Sequence, residues 1–321
     1  MRTGRGNGSD CCAGCRDVGD IVMGMVIMKK MCDRSFSLER DGFIGELYTG
    51  TRAPGKAILY VGGAGCKKKM TLMMGQYLAD AGFTVLFLGF YLWDGLSKDM
   101  WNIPVDYAER AAAWLKKNGF DVCMIGTSTG AGYTLLSASL VPEISGVVAL
   151  SGYDHVMEGC KFFHKPSGHS VYEFHGKEYP FSRFDIINNG WAKAFKIAKK
   201  DGVSMTGFMR YGYEKSNYNP ASRIKVENIC GDILFLGPTH DSAWPSDAAE
   251  KRMMAVLKEA GFRHHAELKL YDSKAHGLGV GELSGVYKFL AGFAVKEDRA
   301  AAEDARQYVI AWLDGWAKGY L

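Results

Sequence analysis

The chain has 321 residues, 47% of them hydrophobic and 23% charged, with a formal net charge of +4 at neutral pH. That apolar content supplies one sizeable core, and a single α/β domain of about 250 to 290 residues is the simplest fit. The positive charge is mild and scattered, with no basic stripe interleaved by aromatics, which excludes a dedicated nucleic-acid binder.

Residues 1–33 mix glycine, charge and methionine without a steady period and read as a disordered extension; residues 34–321 read as the folded domain. The apolar run from Ile21 to Met28 is too short to span a bilayer. Asp10, Asp17 and Asp20 ahead of it, and Lys29-Lys30 behind it, argue against a signal peptide, so a cytoplasmic location is expected. Cys11-Cys12-x-x-Cys15 has the spacing of a metal knuckle, with Cys32 as a distant fourth ligand, but no second Cys-x-x-Cys or histidine pair completes a tetrahedral set. No metal or other cofactor is therefore expected. Of the eight cysteines, Cys123 falls in a buried strand and Cys230 just ahead of one, where thiols act as small hydrophobes. Without an export signal, disulfides are not expected.

From Ser35 to Tyr48 the apolar residues alternate around Arg40-Asp41-Gly42, which predicts a β-hairpin with an Asp-Gly turn. Strands follow at Ala57 to Val61, Thr84 to Leu88, Val122 to Ile125, Gly146 to Leu150, Asp232 to Leu236 and Ala266 to Leu270. Helices are predicted from Lys68 to Ala81, Val105 to Lys117, Ser246 to Ala260 and Ala300 to Trp316. Strands alternating with helices imply an α/β fold, a mostly parallel sheet with helices on both faces. The stretch 153–230 interrupts the alternation and is crowded with aromatics, among them Tyr172, Phe174, Tyr179, Trp191 and Tyr213. It reads as a cap over the strand ends, with a helix near Asp185 to Lys200, most of its rings forming the cap's own small core.

The run Asp121-Val-Cys-Met-Ile-Gly126-Thr127-Ser128-Thr129-Gly130 is a buried strand followed by Gly-x-Ser-x-Gly and then an amphipathic helix. Such a strained strand-to-helix turn is the nucleophile elbow of an α/β-hydrolase, with Ser128 as nucleophile. In a chain with 40 glycines the bare pattern has a plain alternative, a turn whose serine caps a helix. The flanking strand and helix favour the elbow. A serine hydroxyl is a weak nucleophile until a base takes its proton, and the partners follow in the order acid, then histidine. Asp241 lies just beyond the Asp232 to Leu236 strand, and His276 lies in the loop after the last strand, where each is needed. The rivals are worse placed. His155, His164, His169 and His175 fall in the cap, His264 and His265 precede the last strand, and Asp272 comes too early in its loop. His240, next to Asp241, is the nearest competitor for the base. The oxyanion hole takes the Thr129 amide and a second from Gly63 or Ala64, in the loop after the first parallel strand. Lys67, Lys68 and Lys69 open the next helix, where cations oppose the helix dipole at about a few tenths of a kcal/mol each. They form either a solvated run or a seat for an anionic substrate such as the phosphates of coenzyme A.

Together these pieces resemble the C-terminal catalytic domain shared by acyl-CoA thioesterases and bile acid-CoA:amino acid N-acyltransferases, over roughly residues 35–318. The resemblance rests on Gly126-Thr-Ser128-Thr-Gly130-Ala, Asp241-x-x-Trp244-Pro245-Ser246 and Ala275-His276, supported by Ile103-Pro104-Val-Asp-Tyr, Ala113-Trp114-Leu115-Lys116 and Ser151-Gly152. The Asp-x-x-Trp-Pro-Ser segment discriminates most, with Trp244 expected to pack beneath the acid loop and Ser246 to cap the helix after it. Three departures stand out. Eukaryotic members carry an N-terminal β-sandwich for which the residues ahead of the domain are too few. Pro238-Thr239-His240 replaces a glycine followed by acidic residues. The family's N-acyltransferases have cysteine where Ser128 stands. The resemblance, which extends to the dienelactone hydrolase group, implies a serine hydrolase acting on an acyl thioester or ester. The alternatives are acyl transfer to an amino acid and a non-catalytic protein that binds an apolar ligand.

Overall fold

The computed structural model describes residues 32–160, 166–183, 196, 200, 213–214, 217–241, 243–281 and 296–321. The expected disordered extension (Cys32 and Asp33 apart), the Cys11, Cys12 and Cys15 cluster, and the helix near Asp185 to Lys200 (Lys196 and Lys200 apart) lie outside the described residues.

Arg34–Phe36 (β1) pairs antiparallel with Ile44–Tyr48 (β2), but their link is not the expected two-residue turn. Leu38–Asp41 (α1) forms a single helical turn; the Ser37 hydroxyl accepts from the Arg40 amide, and Gly42, at φ 75°, closes it. Serine at the N-cap and glycine at the left-handed stop are the ordinary punctuation of a helix, and here they replace the Asp-Gly turn while the antiparallel pairing remains.

The α/β alternation then follows: Lys56–Val61 (β3), Lys68–Asp80 (α2), Thr84–Gly89 (β4), the short Ile103–Pro104 (β5), Asp106–Lys117 (α3), Asp121–Thr127 (β6), Thr129–Leu140 (α4) and Ile144–Leu150 (β7). After β7 come Glu158–Cys160 (β8), Pro166–Ser170 (β9), Tyr172–Phe174 (β10) and Lys177–Glu178 (β11). The main sheet resumes with Asp232–Pro238 (β12), Ser246–Glu259 (α5), Ala266–Tyr271 (β13) and Lys296–Lys318 (α6). Among the described residues, one eight-stranded sheet has the order β1-β2-β4-β3-β6-β7-β12-β13, parallel from β4 onward. A three-stranded sheet, β11-β10-β5, joins the segment after β7 to the strand ahead of α3.

While the edge strand β13 carries Glu267 and Lys269 and is half-buried, the inner parallel strands β4, β3, β6, β7 and β12 are apolar on both faces because helices cover both. Their period of two divides the side chains between two cores: Leu59, Val61, Met124 and Val147 in one, and Ile58, Tyr60, Ile125 and Val148 in the other, with Leu78 of α2 and Leu313 of α6. Helix α4 departs from expectation. It is not amphipathic: every residue from Thr129 to Ala138 is buried, between the sheet and the segment after β7. Cys230 also departs, being exposed, while Cys123 is buried as expected. Among the described residues, no helix is long and apolar enough to cross a membrane.

The turn from β6 into α4 is backbone packed on backbone. A methyl on Gly130 would lie 2.0 Å from the Gly62 carbonyl oxygen, and one on Gly126 would lie 2.1 Å from the Gly130 carbonyl oxygen. Gly130→Ala must push β3 and α4 apart, so it is expected to lower unfolding stability by about 3 kcal/mol or more, read as a fall in the urea midpoint.

Candidate active site

Ser128 sits at φ 56° and ψ −121°, a conformation that costs a non-glycine residue about 1–3 kcal/mol. The strain is held from both sides. The Ser128 amide donates to the Leu150 carbonyl of β7 at 2.8 Å, and its carbonyl accepts from the Ala131 and Gly132 amides at 2.9 and 3.1 Å. Thr129, next in sequence, opens α4, so its amide belongs to the donor-rich end of that helix. Gly63 lies beside the serine: a methyl there would be 3.4 Å from Ser128 Cβ. Ala64 is exposed at the tip of the same loop, and the Gly65 amide donates to the Tyr91 hydroxyl, which pins the loop from below.

Asp241 follows β12, and its carboxylate is fully buried. Oδ1 accepts from the Ala243 and Trp244 amides at 2.8 and 3.1 Å, a local turn typical of aspartate, and Oδ2 accepts from the Ser246 hydroxyl at 2.6 Å. His276 Nδ1 lies 2.9 Å from each oxygen. Burial alone pushes the Asp241 carboxyl up, but the His276 ring and the hydrogen bonds from His276, Ser246 and Ala243 outweigh it, holding the group below the usual carboxylate range. Donation from Nδ1 to a carboxylate fixes the imidazole tautomer and leaves Nε2 as the acceptor. The His276 carbonyl accepts from the Ser151 hydroxyl at 2.8 Å, and Thr239 and His240 donate to Tyr271 and Ser273, tying the two loops together.

The structure thus brings Asp241 and His276 together, but shows no hydrogen bond between His276 and Ser128 among the described residues. The Ser128 hydroxyl oxygen instead accepts from the Trp244 indole Nε1 at 3.1 Å. Trp244 does not merely pack beneath the acid loop, and Ser246 does not cap α5: Pro245 stands at that position, and the Ser246 hydroxyl goes to Asp241. A side chain's hydrogen-bond target depends on which strand ends meet, which the local pattern does not encode.

Of the rival residues, His164 lies outside the described ones, and others are engaged elsewhere. His240 and Asp272 face each other at 3.4 Å with both side chains exposed. His155 packs against Tyr213 and bonds Asp154 at 2.9 Å. His175 bonds Glu109 at 3.0 Å; with Asp106 the two form a surface group of metal-type donors whose ligand atoms lie within 4.8 Å of one another. Lys68 pairs with Glu46, while Lys67 and Lys69 are exposed at the start of α2.

One buried acid escaped the sequence reading. Glu250 of α5, one helical turn beyond Ser246, accepts from the Gly152 amide at 3.1 Å. Burial pushes its carboxyl well above the usual range, with the Asp241 charge adding to the effect, the opposite direction to Asp241.

The ionised Asp241 contributes stability that is full above its unfolded value of about 3.9 and is lost as the pH falls through the depressed folded value. Asp241→Asn is therefore expected to lower the melting temperature by a constant amount above about pH 5, with the gap closing below about pH 4 in a thermal-melt series.

The family described as BAAT / acyl-CoA thioester hydrolase C terminal matches residues 103–280, more than half of the chain. The peroxisomal succinyl-coenzyme A thioesterase of Mus musculus is 30% identical over 195 residues, 57% of this chain and 41% of its own. The acyl-coenzyme A amino acid N-acyltransferase 2 of Rattus norvegicus is 25% identical over 203 residues, 62% of this chain and 44% of its own. The chain thus spans less than half the length of these curated relatives. In fold it is similar to an α/β-hydrolase enzyme from a Medee basin deep-sea metagenome library, at a TM-score of 0.50 and 13% identity over 89% of this chain and 97% of that one.

Proposed function

We propose, because the chain belongs to the BAAT / acyl-CoA thioester hydrolase C-terminal family, that it cleaves an acyl thioester or carboxylic ester through an acyl-enzyme on Ser128. The observation that carries the reading is the hydrogen bond of His276 to the buried Asp241 at 2.9 Å, built at two strand ends on the same edge of the sheet as the strained serine. Turning the Ser128 O–H toward His276 Nε2, with Oγ still accepting from the Trp244 indole, completes the relay. Ser128 Oγ then attacks the acyl carbonyl as its proton passes to His276, and the tetrahedral oxyanion is held by the Thr129 amide and by Ala64 or Gly63. The leaving thiolate or alkoxide takes the proton from His276. Water activated by the same ring then hydrolyses the acyl-enzyme.

Residues 153–230 serve in this reading as a cap. Its support is the contact of Tyr153 and Tyr172 with the elbow helix, the Tyr172 hydroxyl donating to the Thr129 carbonyl at 2.6 Å. For an acyl-CoA substrate, Lys67 and Lys69 are the cations left to meet phosphate, Lys68 being held by Glu46. Hydrolysis is preferred to acyl transfer because the nucleophile is serine, although the rat relative is named for transfer.

Ser128→Ala is expected to abolish hydrolysis, and a fluorophosphonate probe to label the native chain at Ser128; full activity in the variant overturns the mechanism. Succinyl-CoA, longer acyl-CoAs, p-nitrophenyl esters and a lactone, assayed with and without glycine or taurine, separate thioesterase, esterase and acyltransferase by their products. Lys67→Glu/Lys69→Glu is expected to raise KM for an acyl-CoA several-fold and leave a p-nitrophenyl ester unaffected. An unchanged KM for the acyl-CoA removes the phosphate role.

A further inference from the structure

We infer that Trp244 is a catalytic residue, whose indole N–H stabilises the charge on Ser128 Oγ in both halves of the reaction; the inference rests on Ser128 being the nucleophile. Nε1 lies 3.1 Å from Oγ, and the ring is only 6% exposed. Its position is fixed at several points. The Trp244 amide bonds Asp241 Oδ1 at 3.1 Å, and the rings of Tyr153 and Tyr213 lie 5.6 and 5.8 Å away. The carboxylate that orients His276 therefore also sets where the indole sits, and one short turn, from Asp241 to Trp244, addresses both the base and the nucleophile.

An indole N–H donates and cannot accept. It therefore never competes with His276 for the serine proton, and it directs that proton away from itself. As Oγ attacks the carbonyl carbon, its O–H bond breaks toward His276 Nε2 and the oxygen carries partial negative charge next to the indole donor. In deacylation the order reverses: the C–Oγ bond breaks, its electron pair returns to Oγ, and the proton on His276 Nε2 follows. Donors aimed at a developing charge in a water-poor site act more strongly than they do in water. The hydrogen bond in the resting state is the same one the two transition states use.

The test replaces Trp244 with benzothienylalanine, which keeps the bicycle and puts sulfur where the N–H was, alongside Trp244→Phe. Folding of each is checked by melting temperature. The rates read are fluorophosphonate labelling of Ser128 and single-turnover acylation and deacylation with p-nitrophenyl butyrate. The benzothienyl chain is expected to lose roughly 10- to 100-fold in labelling and in both half-reactions, with KM little changed. Wild-type rates in that chain overturn the inference and leave the ring as packing. Faster rates overturn it too, making the indole a catch that holds the hydroxyl away from His276. A native chain that the fluorophosphonate does not label at Ser128 takes down the nucleophile itself and this inference with it.

Discussion

Three backbone segments meet where β6 turns into α4, and they approach so closely that side chains are excluded from Gly126 and Gly130. That contact fixes Ser128 in a conformation it does not prefer, because the chain can neither relax into the sheet nor slide along the helix. The same contact brings the loop after β3, with Gly63, alongside the serine. The rest of the site is then a question of which strand ends lie beside β6. β7 and β12 follow it in the sheet, with β13 beyond, so the Asp241 and His276 loops open on the same edge.

Charge around the site is divided between two buried acids. Asp241 collects four donors, the Ala243 and Trp244 amides, the Ser246 hydroxyl and the His276 ring, and remains ionised. Glu250, on the same helix face as Ser246, has its carboxyl pushed well up by burial and takes the Gly152 amide. Two anions at such close quarters without cations to match would be costly, and protonating one of them resolves it. Ser151, next to that amide, carries the hydroxyl that holds the His276 carbonyl. Glu250 thus braces the His276 loop from behind, through Gly152 and Ser151, while Asp241 aligns the His276 ring from the side.

Much of this was legible in the residues. Strands β3, β4, β6, β7 and β12 appear as apolar runs of strand length because both sheet faces are covered, and the positions of Ser128, Asp241 and His276 follow from strand ends, whereas β5 and β8 to β11 are too short or polar to show. What escaped has physical causes. The link between β1 and β2 became a helical turn, not a two-residue turn, because Ser37 caps it. α4 carried no polar face because the segment after β7 covers the side that solvent would take. His240 and Asp272, the rivals that the sequence placed second, face each other with their side chains exposed. The target of the Trp244 indole lies 116 positions away in sequence and depends on the whole sheet closing correctly.

Helix α4 also bears on how separable the segment after β7 is. A methyl on Gly132 would lie 2.2 Å from the Tyr153 ring, so the elbow helix is notched to receive that phenol. The Tyr153 hydroxyl bonds the Tyr172 hydroxyl at 2.8 Å, and β10, which starts at Tyr172, pairs with β5. The segment and the elbow are therefore a matched lock and key within one chain. A graft that exchanges this segment with that of a relative has to carry the residue at position 132 and the β5 strand with it. The segment after β7 is then inherited together with the elbow helix and cannot be traded as a loose module.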